Sequence, residues 1–326
     1  MAGASDEARA QLRWRLADEG PGPQQALFED DPPTWRAGHG EFRGLEFLEV
    51  RARRVVNPVP PQSRMGFRYT INAYRGCSHA CSYCFARPTH GYLNLDTGRD
   101  FERRIVVKVN AVERVRAEVQ AKRWAGELIA MGTNTDPYQR CEGKYRLTRG
   151  IVEALGEARN PFSILTKSSL ILRDIDVLSE AAQRTTVHAA FSVGTVDDEV
   201  WKISEPGTPH PRRRLEALAR LREAGVPTGV LAAPILPGIS DSPAQLEALA
   251  RALADAGVES ATPIVLHLRP GVKEEYLGWL ASARPDLLDR YDQLYGRRSY
   301  APKAVQAEIT ARFRTAFAAA RRSSRR

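Results

Sequence analysis

The chain has 326 residues, 43% of them hydrophobic, which is enough to bury one large core. It has no apolar run long enough for a membrane helix, and its first residues lack the basic-then-apolar pattern of a secretory signal. We therefore expect a cytoplasmic protein without a membrane span. The net charge of +9 makes nucleic acid one candidate partner, but part of the excess lies in the C-terminal tail and charge alone does not decide this.

The N-terminal part of the chain predicts little regular structure. We expect residues 1–31 to form a polar, mobile arm, with one short helical pattern at 5–16. Apolar residues within 41–56 predict one or two short strands, and the proline-rich stretch 57–61 then acts as a stiff linker.

From residue 69 onward, short apolar runs alternate with amphipathic helical runs, which predicts βα units and a parallel sheet. A further strand candidate at 105–109 precedes the first of these helices, and the chain after residue 268 is mostly helical. The six strands of the sheet are predicted at 69–74, 128–132, 162–166, 187–192, 228–233 and 261–268.

Three of the four cysteines, Cys77, Cys81 and Cys84, fall within eight residues of the loop that follows the first predicted strand. Thiolates so close together can bind an iron–sulfur cluster or zinc. Zinc would take His79 or His90 as a fourth ligand and form a closed structural site. A cubane cluster on three thiolates leaves one iron open to a small molecule, which is the pattern of an enzyme. Disulfides fit poorly, because the thiols are odd in number and no secretory signal precedes them.

Tyr83 completes the spacing C-x3-C-x-aromatic-C, which resembles the signature of the radical S-adenosylmethionine (SAM) superfamily. The resemblance implies an α/β fold, a partial (β/α)6 barrel of the TIM type, in which the cluster loop follows the first strand. We therefore divide the chain into an N-terminal part, residues 1–60, the barrel, residues 61–272, and a C-terminal helical extension, residues 273–326.

The same resemblance implies the chemistry of the loop. A [4Fe–4S] cluster on Cys77, Cys81 and Cys84 would bind SAM at its open iron, and Tyr83 would lie beside the adenine. An electron from a reductant such as flavodoxin or ferredoxin would cleave SAM to methionine and a 5′-deoxyadenosyl radical, which abstracts hydrogen from a substrate.

Polar residues follow three of the predicted strands at their carboxyl ends, where TIM-type barrels gather their chemistry. A resemblance to the spore photoproduct lyase group implies that Thr135, Asp136 and Lys167 hold the methionine end of SAM, and that Ser192 meets its ribose. From the residues alone, Asp136 is also ordinary turn material and Lys167 can simply extend into solvent. The segments that carry this resemblance are 132–136, 165–168 and 205–206.

One position departs from that group. As we align them, the lyases carry a hydrogen-donating cysteine where this chain has Thr133, so we expect no efficient repair of spore photoproduct. The fourth cysteine, Cys141, lies in the same loop and is either a substitute hydrogen donor or a bystander thiol. His267, in an apolar strand, is either a hydrogen-bonded core residue or a catalyst.

Two hypotheses about function follow from these patterns. The first is a radical SAM enzyme whose substrate is unassigned, with nucleic acid as one candidate. The second is a non-enzymatic basic protein that binds nucleic acid and carries a structural zinc loop. Iron and sulfide analysis of anaerobically purified protein distinguishes the two.

Overall fold

The computed structural model describes residues 33–63 and 65–324, so the predicted N-terminal arm and its short helix lie outside the described residues. In chain order the strands are β1 (Thr34–Ala37), β2 (Glu46–Val50), β3 (Val56–Pro58), β4 (Tyr69–Ile71), β5 (Tyr74–Arg75), β6 (Arg104–Lys108), β7 (Ile129–Met131), β8 (Phe162–Thr166), β9 (Val187–Ser192), β10 (Thr228–Ile235) and β11 (Ala261–Val265). The α-helices are α1 (Arg99–Arg103), α2 (Ala111–Val119), α3 (Glu142–Tyr145), α4 (Leu147–Glu157), α5 (Ile175–Arg184), α6 (Asp198–Ser204), α7 (Pro211–Glu223), α8 (Pro243–Asp255), α9 (Lys273–Ala283), α10 (Leu288–Tyr295) and α11 (Lys303–Ser323).

The larger sheet forms the partial barrel that the sequence predicted. Its strand order is β11-β10-β9-β8-β7-β4-β3, and all neighbours from β4 to β11 are parallel. Each of the six predicted strands is therefore present. Every residue of β7 is buried, as expected for a parallel strand covered on both faces.

Helices cover the outer face of this sheet and continue beyond its last strand. Leu215, Leu218 and Leu221 of α7 are buried, which confirms the packing role predicted from their helical spacing. Helix α11 packs on α8 and β11, with Phe313 and Phe317 buried and their rings stacked at 5.9 Å. These C-terminal helices complete the predicted α/β architecture.

The predicted linker differs from the structure, because part of it is a strand. Residues 56–58 form β3, which pairs antiparallel with β4 at the edge of the sheet. An edge position tolerates Pro58, since its missing N–H leaves no gap in the sheet interior. The three-part division of the chain remains a prediction.

A second sheet, ordered β1-β2-β6-β5, lies beside the barrel sheet and supports the cysteine loop. It contains the strand expected at 105–109, which is β6. The first predicted strand, 69–74, is divided between β4 in one sheet and β5 in the other. Asn72 lies at this break, where its side chain donates to Thr133 at 3.4 Å and accepts from the Asn134 amide at 3.1 Å.

The segment that carries the cysteines begins after β5 and ends before β6, the strand that pairs with β5. Tyr74 and Arg75 pair with Val107 and Val106 of β6, and the Cys77 amide donates to the Phe101 carbonyl at 2.9 Å. Backbone hydrogen bonds thus join the two ends of this cluster segment, which we define as residues 76–103.

Candidate active site

A cavity of about 200 Å³ lies at the carboxyl ends of the barrel strands. One wall is the cysteine loop, and the others come from the residues that end β8 and β9 and from the loop that follows β7. The predicted site residues that line it are Cys77, Cys81, Tyr83, Cys84, Thr135, Asp136, Lys167 and Ser192. The structure therefore brings together residues that are more than a hundred positions apart in the sequence.

Hydrogen bonds from the loop after β7 hold the start of the cysteine loop. The carbonyl of Gly76 accepts from Thr135 Oγ1 at 2.6 Å and from Gln139 Nε2 at 2.9 Å. Gln139 Oε1 in turn accepts from the Ser78 amide at 3.0 Å. Gly76 has φ +84°, and a side chain there would meet His90 and Phe101. Thr135 thus supports the loop as well as lining the cavity.

The three loop thiols share a desolvated environment. Burial raises the pKa of Cys81 to about 12, and burial also raises the pKa of Cys77 and Cys84. Since soft metals bind the thiolate, metal binding here would release protons. Three sulfur donors on one cavity wall suit an iron–sulfur cluster.

The arrangement of possible ligands bears on the choice between a cluster and a single ion. In residues 33–63 and 65–324, no three His, Cys, Asp or Glu side chains are grouped as they would be around one metal ion. A cubane cluster does not require such a grouping, because each thiolate holds its own iron. Of the two histidines considered as zinc ligands, His90 is fully buried, with Nε2 2.9 Å from the Arg104 carbonyl, and only His79 lines the cavity.

Lys167 places a cation in the cavity wall at the end of β8. Its side chain is 13% exposed, and its Nζ donates to Ser192 Oγ at 2.8 Å and to Glu205 Oε1 at 3.0 Å. The ammonium also lies 5.5 Å from the centre of the Tyr83 ring. Two of its three N–H donors thus have protein acceptors, which leaves one for a ligand.

Asp136 acts as a link between loops. Its Oδ1 accepts from Thr166 Oγ1 at 2.7 Å and its Oδ2 from the Lys167 amide at 2.7 Å. His79 Nδ1 lies 3.4 Å from Oδ2. Burial by itself raises the pKa of Asp136, but His79 and these donors outweigh burial and lower it. The carboxylate therefore already has protein partners on both oxygens.

Glu205 was assigned no role from the sequence, although the segment 205–206 that contains it carried part of the resemblance. Glu205 is 2% exposed and accepts hydrogen bonds from the Tyr83 hydroxyl, from Lys167 and from Arg214. Burial by itself raises the pKa of Glu205, yet the charges of Arg214 and Lys167 hold it well below its usual range. The available sequence signal was an acidic residue nine positions before an arginine, which is too common to assign a partner.

Cys141 and Thr133 do not line the cavity. Cys141 is fully buried at the start of α3, where burial raises the pKa of its thiol. Thr133 Oγ1 accepts from Asn72. Cys141 thus lies outside the cavity lining, although the charges of Cys77 and Asp136 still act on its thiol, and its role as a hydrogen donor remains a prediction.

Aromatic side chains mark the mouth of the cavity, where Phe85 and His267 contribute to its lining. The His267 ring lies 6.4 Å from that of Phe85 and stacks on Tyr300 at 5.5 Å and 25°. Phe85 and Tyr300 are 49% and 48% exposed, so the stack opens to solvent on both sides. Burial lowers the pKa of His267.

Two uncharacterized proteins are similar in sequence to most of this chain. An uncharacterized protein of Mycobacterium tuberculosis is 44% identical over 272 residues, which cover 83% of this chain and 80% of that protein. An uncharacterized protein of Acidianus two-tailed virus is 30% identical and covers 70% of this chain and 77% of its own length.

Solved structures show the same fold. A spore photoproduct lyase variant with bound AdoMet and dinucleoside spore photoproduct has a TM-score of 0.62 at 20% identity, and the match covers 82% of this chain and 77% of the lyase. The model of the radical SAM superfamily matches residues 71–253, more than half of the chain. This protein belongs to the radical SAM superfamily.

Proposed function

We propose that this enzyme binds a [4Fe–4S] cluster through Cys77, Cys81 and Cys84, and SAM through the cavity that these residues line. The observation that carries the proposal is that the three thiols share one cavity with Lys167 and Ser192. When bound, the cluster would supply the electron that cleaves SAM to methionine and a 5′-deoxyadenosyl radical. A cytoplasmic reductant such as flavodoxin or ferredoxin would then reduce the cluster again.

The side chains of the cavity would orient SAM and exclude water. Lys167 would offer its remaining N–H to the methionine carboxylate, in a charge-assisted hydrogen bond. Ser192 Oγ, which donates to the Ala233 carbonyl at 2.8 Å, would present its oxygen near the ribose. Apolar residues such as Leu231 and Leu266 complete the walls and would keep water from a reactive radical.

Nucleic acid is the substrate class that the cavity mouth supports best. The rings of Phe85, His267 and Tyr300 form an exposed stack on which an unpaired base could lie. Arg269, Arg297 and Arg298 are exposed on the two segments that carry His267 and Tyr300, which pair through the Leu268 amide. Stacking rings beside cations are the usual combination for single-stranded nucleic acid. The lyase with a bound dinucleoside shares this fold.

Metal analysis of single-cysteine variants tests the cluster. We expect about four irons per chain in anaerobically reconstituted wild type, and loss of the cluster in Cys77→Ala, Cys81→Ala and Cys84→Ala, because each thiolate holds its own iron. Cys141→Ala is the matched control, since Cys141 is also buried but lies outside the cavity wall. With SAM and reductant, the wild type should release 5′-deoxyadenosine. Stoichiometric zinc without sulfide, or cluster loss only in Cys141→Ala, would overturn the assignment.

A further inference from the structure

We propose that Glu205 is a positioning residue, which holds Lys167 and Tyr83 in the arrangement that the SAM site needs. This inference rests on the function proposed above and names a residue that lies outside the cavity lining. Glu205 follows α6, so it belongs to neither the cysteine loop nor a strand end.

The contacts of Glu205 reach two separate parts of the site. Its Oε1 accepts from both the Tyr83 hydroxyl, on the cysteine loop, and Lys167 Nζ, at the end of β8. One oxygen atom therefore sets the distance between the aromatic ring and the ammonium, which lies 5.5 Å from the ring centre. Without that oxygen, Lys167 keeps a single acceptor, Ser192 Oγ.

Arg214 fixes the carboxylate from the other side. It is fully buried, and its guanidinium donates to Glu205 Oε2, to Thr208 Oγ1 at 2.6 Å and to the Ser192 carbonyl at 2.9 Å. A buried carboxylate with two cations and a hydroxyl around it is fully paired, so it stays charged and in place. The bond to Ser192 connects this group to the end of β9.

Backbone hydrogen bonds also connect the turn around Glu205 to the cysteine loop. The Ser82 amide donates to the Ser204 carbonyl at 3.0 Å, and the Gly207 amide donates to the His79 carbonyl at 3.0 Å. The turn at 204–208 thus binds the cysteine loop at two points, on either side of Cys81. Glu205 is held rigidly relative to the loop that it orients.

Changing the length of the side chain separates positioning from charge. Glu205→Asp keeps the negative charge but shortens the side chain by one carbon, so it would not reach both Tyr83 and Lys167. If only charge mattered, Glu205→Asp would behave like the wild type and Glu205→Gln would not. If positioning matters, both variants should differ from the wild type in Lys167 labelling rate and in SAM affinity.

The first measurement needs no cofactor. Metal-free protein is treated with an amine-reactive acetylating reagent, and the labelling rate of Lys167 is followed by mass spectrometry of its peptide. We expect Lys167 to react several-fold faster in Glu205→Asp and Glu205→Gln, because a lysine side chain that loses an acceptor becomes mobile and meets the reagent more often. An unchanged rate in Glu205→Asp would overturn the inference, whether or not the protein binds SAM.

The second measurement is SAM affinity in protein with a confirmed cluster. Glu205→Asp should weaken binding by about tenfold, which corresponds to the loss of one charge-assisted hydrogen bond. Wild-type affinity in Glu205→Asp would contradict the inference. Absence of cluster or SAM binding in the wild type would instead refute the proposed function, and the labelling rates would still decide the role of Glu205.

The chain offers a matched control in Glu142. This glutamate is also fully buried, accepts from the Tyr74 hydroxyl and from Arg173 at 2.7 Å, and does not line the cavity. Glu142→Asp should lower stability to a similar extent and leave both Lys167 labelling and SAM affinity unchanged. If Glu205→Asp does not fold, Tyr83→Phe removes one hydrogen bond to Glu205 and keeps the ring. Glu205 then loses one of the donors that hold it in place, so the carboxylate and the lysine bound to it become more mobile and Lys167 labelling should accelerate. An unchanged rate would count against positioning.

Discussion

At the scale of single residues, the cavity depends on a few buried polar groups with nearly complete sets of partners. Lys167 is the exception, because it lines the cavity and keeps a donor that no described residue accepts. Asp136, by contrast, accepts hydrogen bonds on both carboxylate oxygens. We therefore expect Lys167 to contribute more to ligand binding than Asp136 does.

Lys167→Ala should weaken SAM binding while the iron content stays at the wild-type level. The lost charge-assisted hydrogen bond corresponds to roughly 1.5–3 kcal/mol, or about tenfold to a hundredfold in affinity. Equilibrium binding under anaerobic conditions measures the change. Lys202→Ala removes an exposed lysine from α6 and is the control. Equal SAM affinity in the two variants would remove Lys167 from the site.

His90 should make the protein less stable in mild acid. Burial lowers the pKa of this ring to about 4, while an unfolded histidine titrates near 6.5. Between these values the unfolded chain binds a proton that the folded chain does not, so stability falls as the pH falls. The contribution lost between pH 7 and pH 5 is about 2 kcal/mol.

Urea unfolding of the wild type and of His90→Gln at the two pH values measures this contribution. The glutamine variant should lose less stability on acidification, since it has no ring to protonate. Equal losses in the two proteins would show that His90 does not carry the pH dependence.

At the scale of elements, the turn at 204–208 packs directly on the cysteine loop. A Cβ atom on Gly207 would lie 2.2 Å from the Ser78 carbonyl oxygen, so only glycine allows this approach. Ser78 follows the first cysteine of the loop. The fit between turn and loop therefore bears on the position of the cysteine loop, which would hold the proposed cluster.

Gly207→Ala should displace the cysteine loop and lower its iron occupancy. Forced overlap in a packed region costs typically about 1–3 kcal/mol, so the urea midpoint should also fall. Gly278→Ala is the control, because a Cβ there meets nothing within 4 Å and alanine favours helix α9 by about 0.5–1 kcal/mol. Full iron occupancy in Gly207→Ala would show that the loop does not depend on this turn.

The strands of the barrel could be predicted from the sequence, but the point where the chain passes from one sheet to the other could not. The predicted strand 162–166 matches β8 residue for residue, because buried and half-buried residues alternate along it as they do in a strand with one face on the core. The break at Asn72 depends on bonds to residues about sixty positions away, which no local pattern contains.

The same distinction holds for the site. The cysteine spacing is local, so it predicted the loop that lines the cavity, and the resemblance supplied Lys167 and Ser192. Glu205 lies 122 positions from its partner Tyr83, and its role follows only from the folded contacts. Cys141 lies in the loop after β7, close in sequence to Thr135 and Asp136, but it belongs to the hydrophobic core, which sequence proximity does not reveal.

At the scale of the whole molecule, three exposed arginines, Arg269, Arg297 and Arg298, place part of the positive charge on the segments that carry His267 and Tyr300. No helix of the described segments has the length and apolar character of a membrane span. Under the proposed function, the exposed arginines beside His267 and Tyr300 would contact phosphates.

Binding of a single-stranded oligonucleotide should weaken steeply with salt. Three phosphate contacts predict a slope of about −2 when the logarithm of the association constant is plotted against the logarithm of the salt concentration. In the triple variant Arg269→Gln, Arg297→Gln, Arg298→Gln this slope should fall to near zero. Tyr300→Ala should lower affinity by roughly 1–3 kcal/mol per stacked base and keep the slope.

A matched triple variant on α11, Arg314→Gln, Arg321→Gln, Arg322→Gln, removes the same charge from another surface. It should retain the wild-type slope. A slope near zero in the wild type would favour a protein or small-molecule substrate, and equal slopes in the two triple variants would show that net charge alone drives binding.

The closed ends of the cluster segment have a consequence for how the enzyme matures. The pairing of β5 with β6 and the bond from Cys77 to Phe101 use backbone groups alone, so no thiol and no metal takes part in closing the segment. We therefore expect the segment to keep this closed path in the metal-free protein. If it does, a chain made during iron scarcity could receive its cluster after folding, without new protein synthesis.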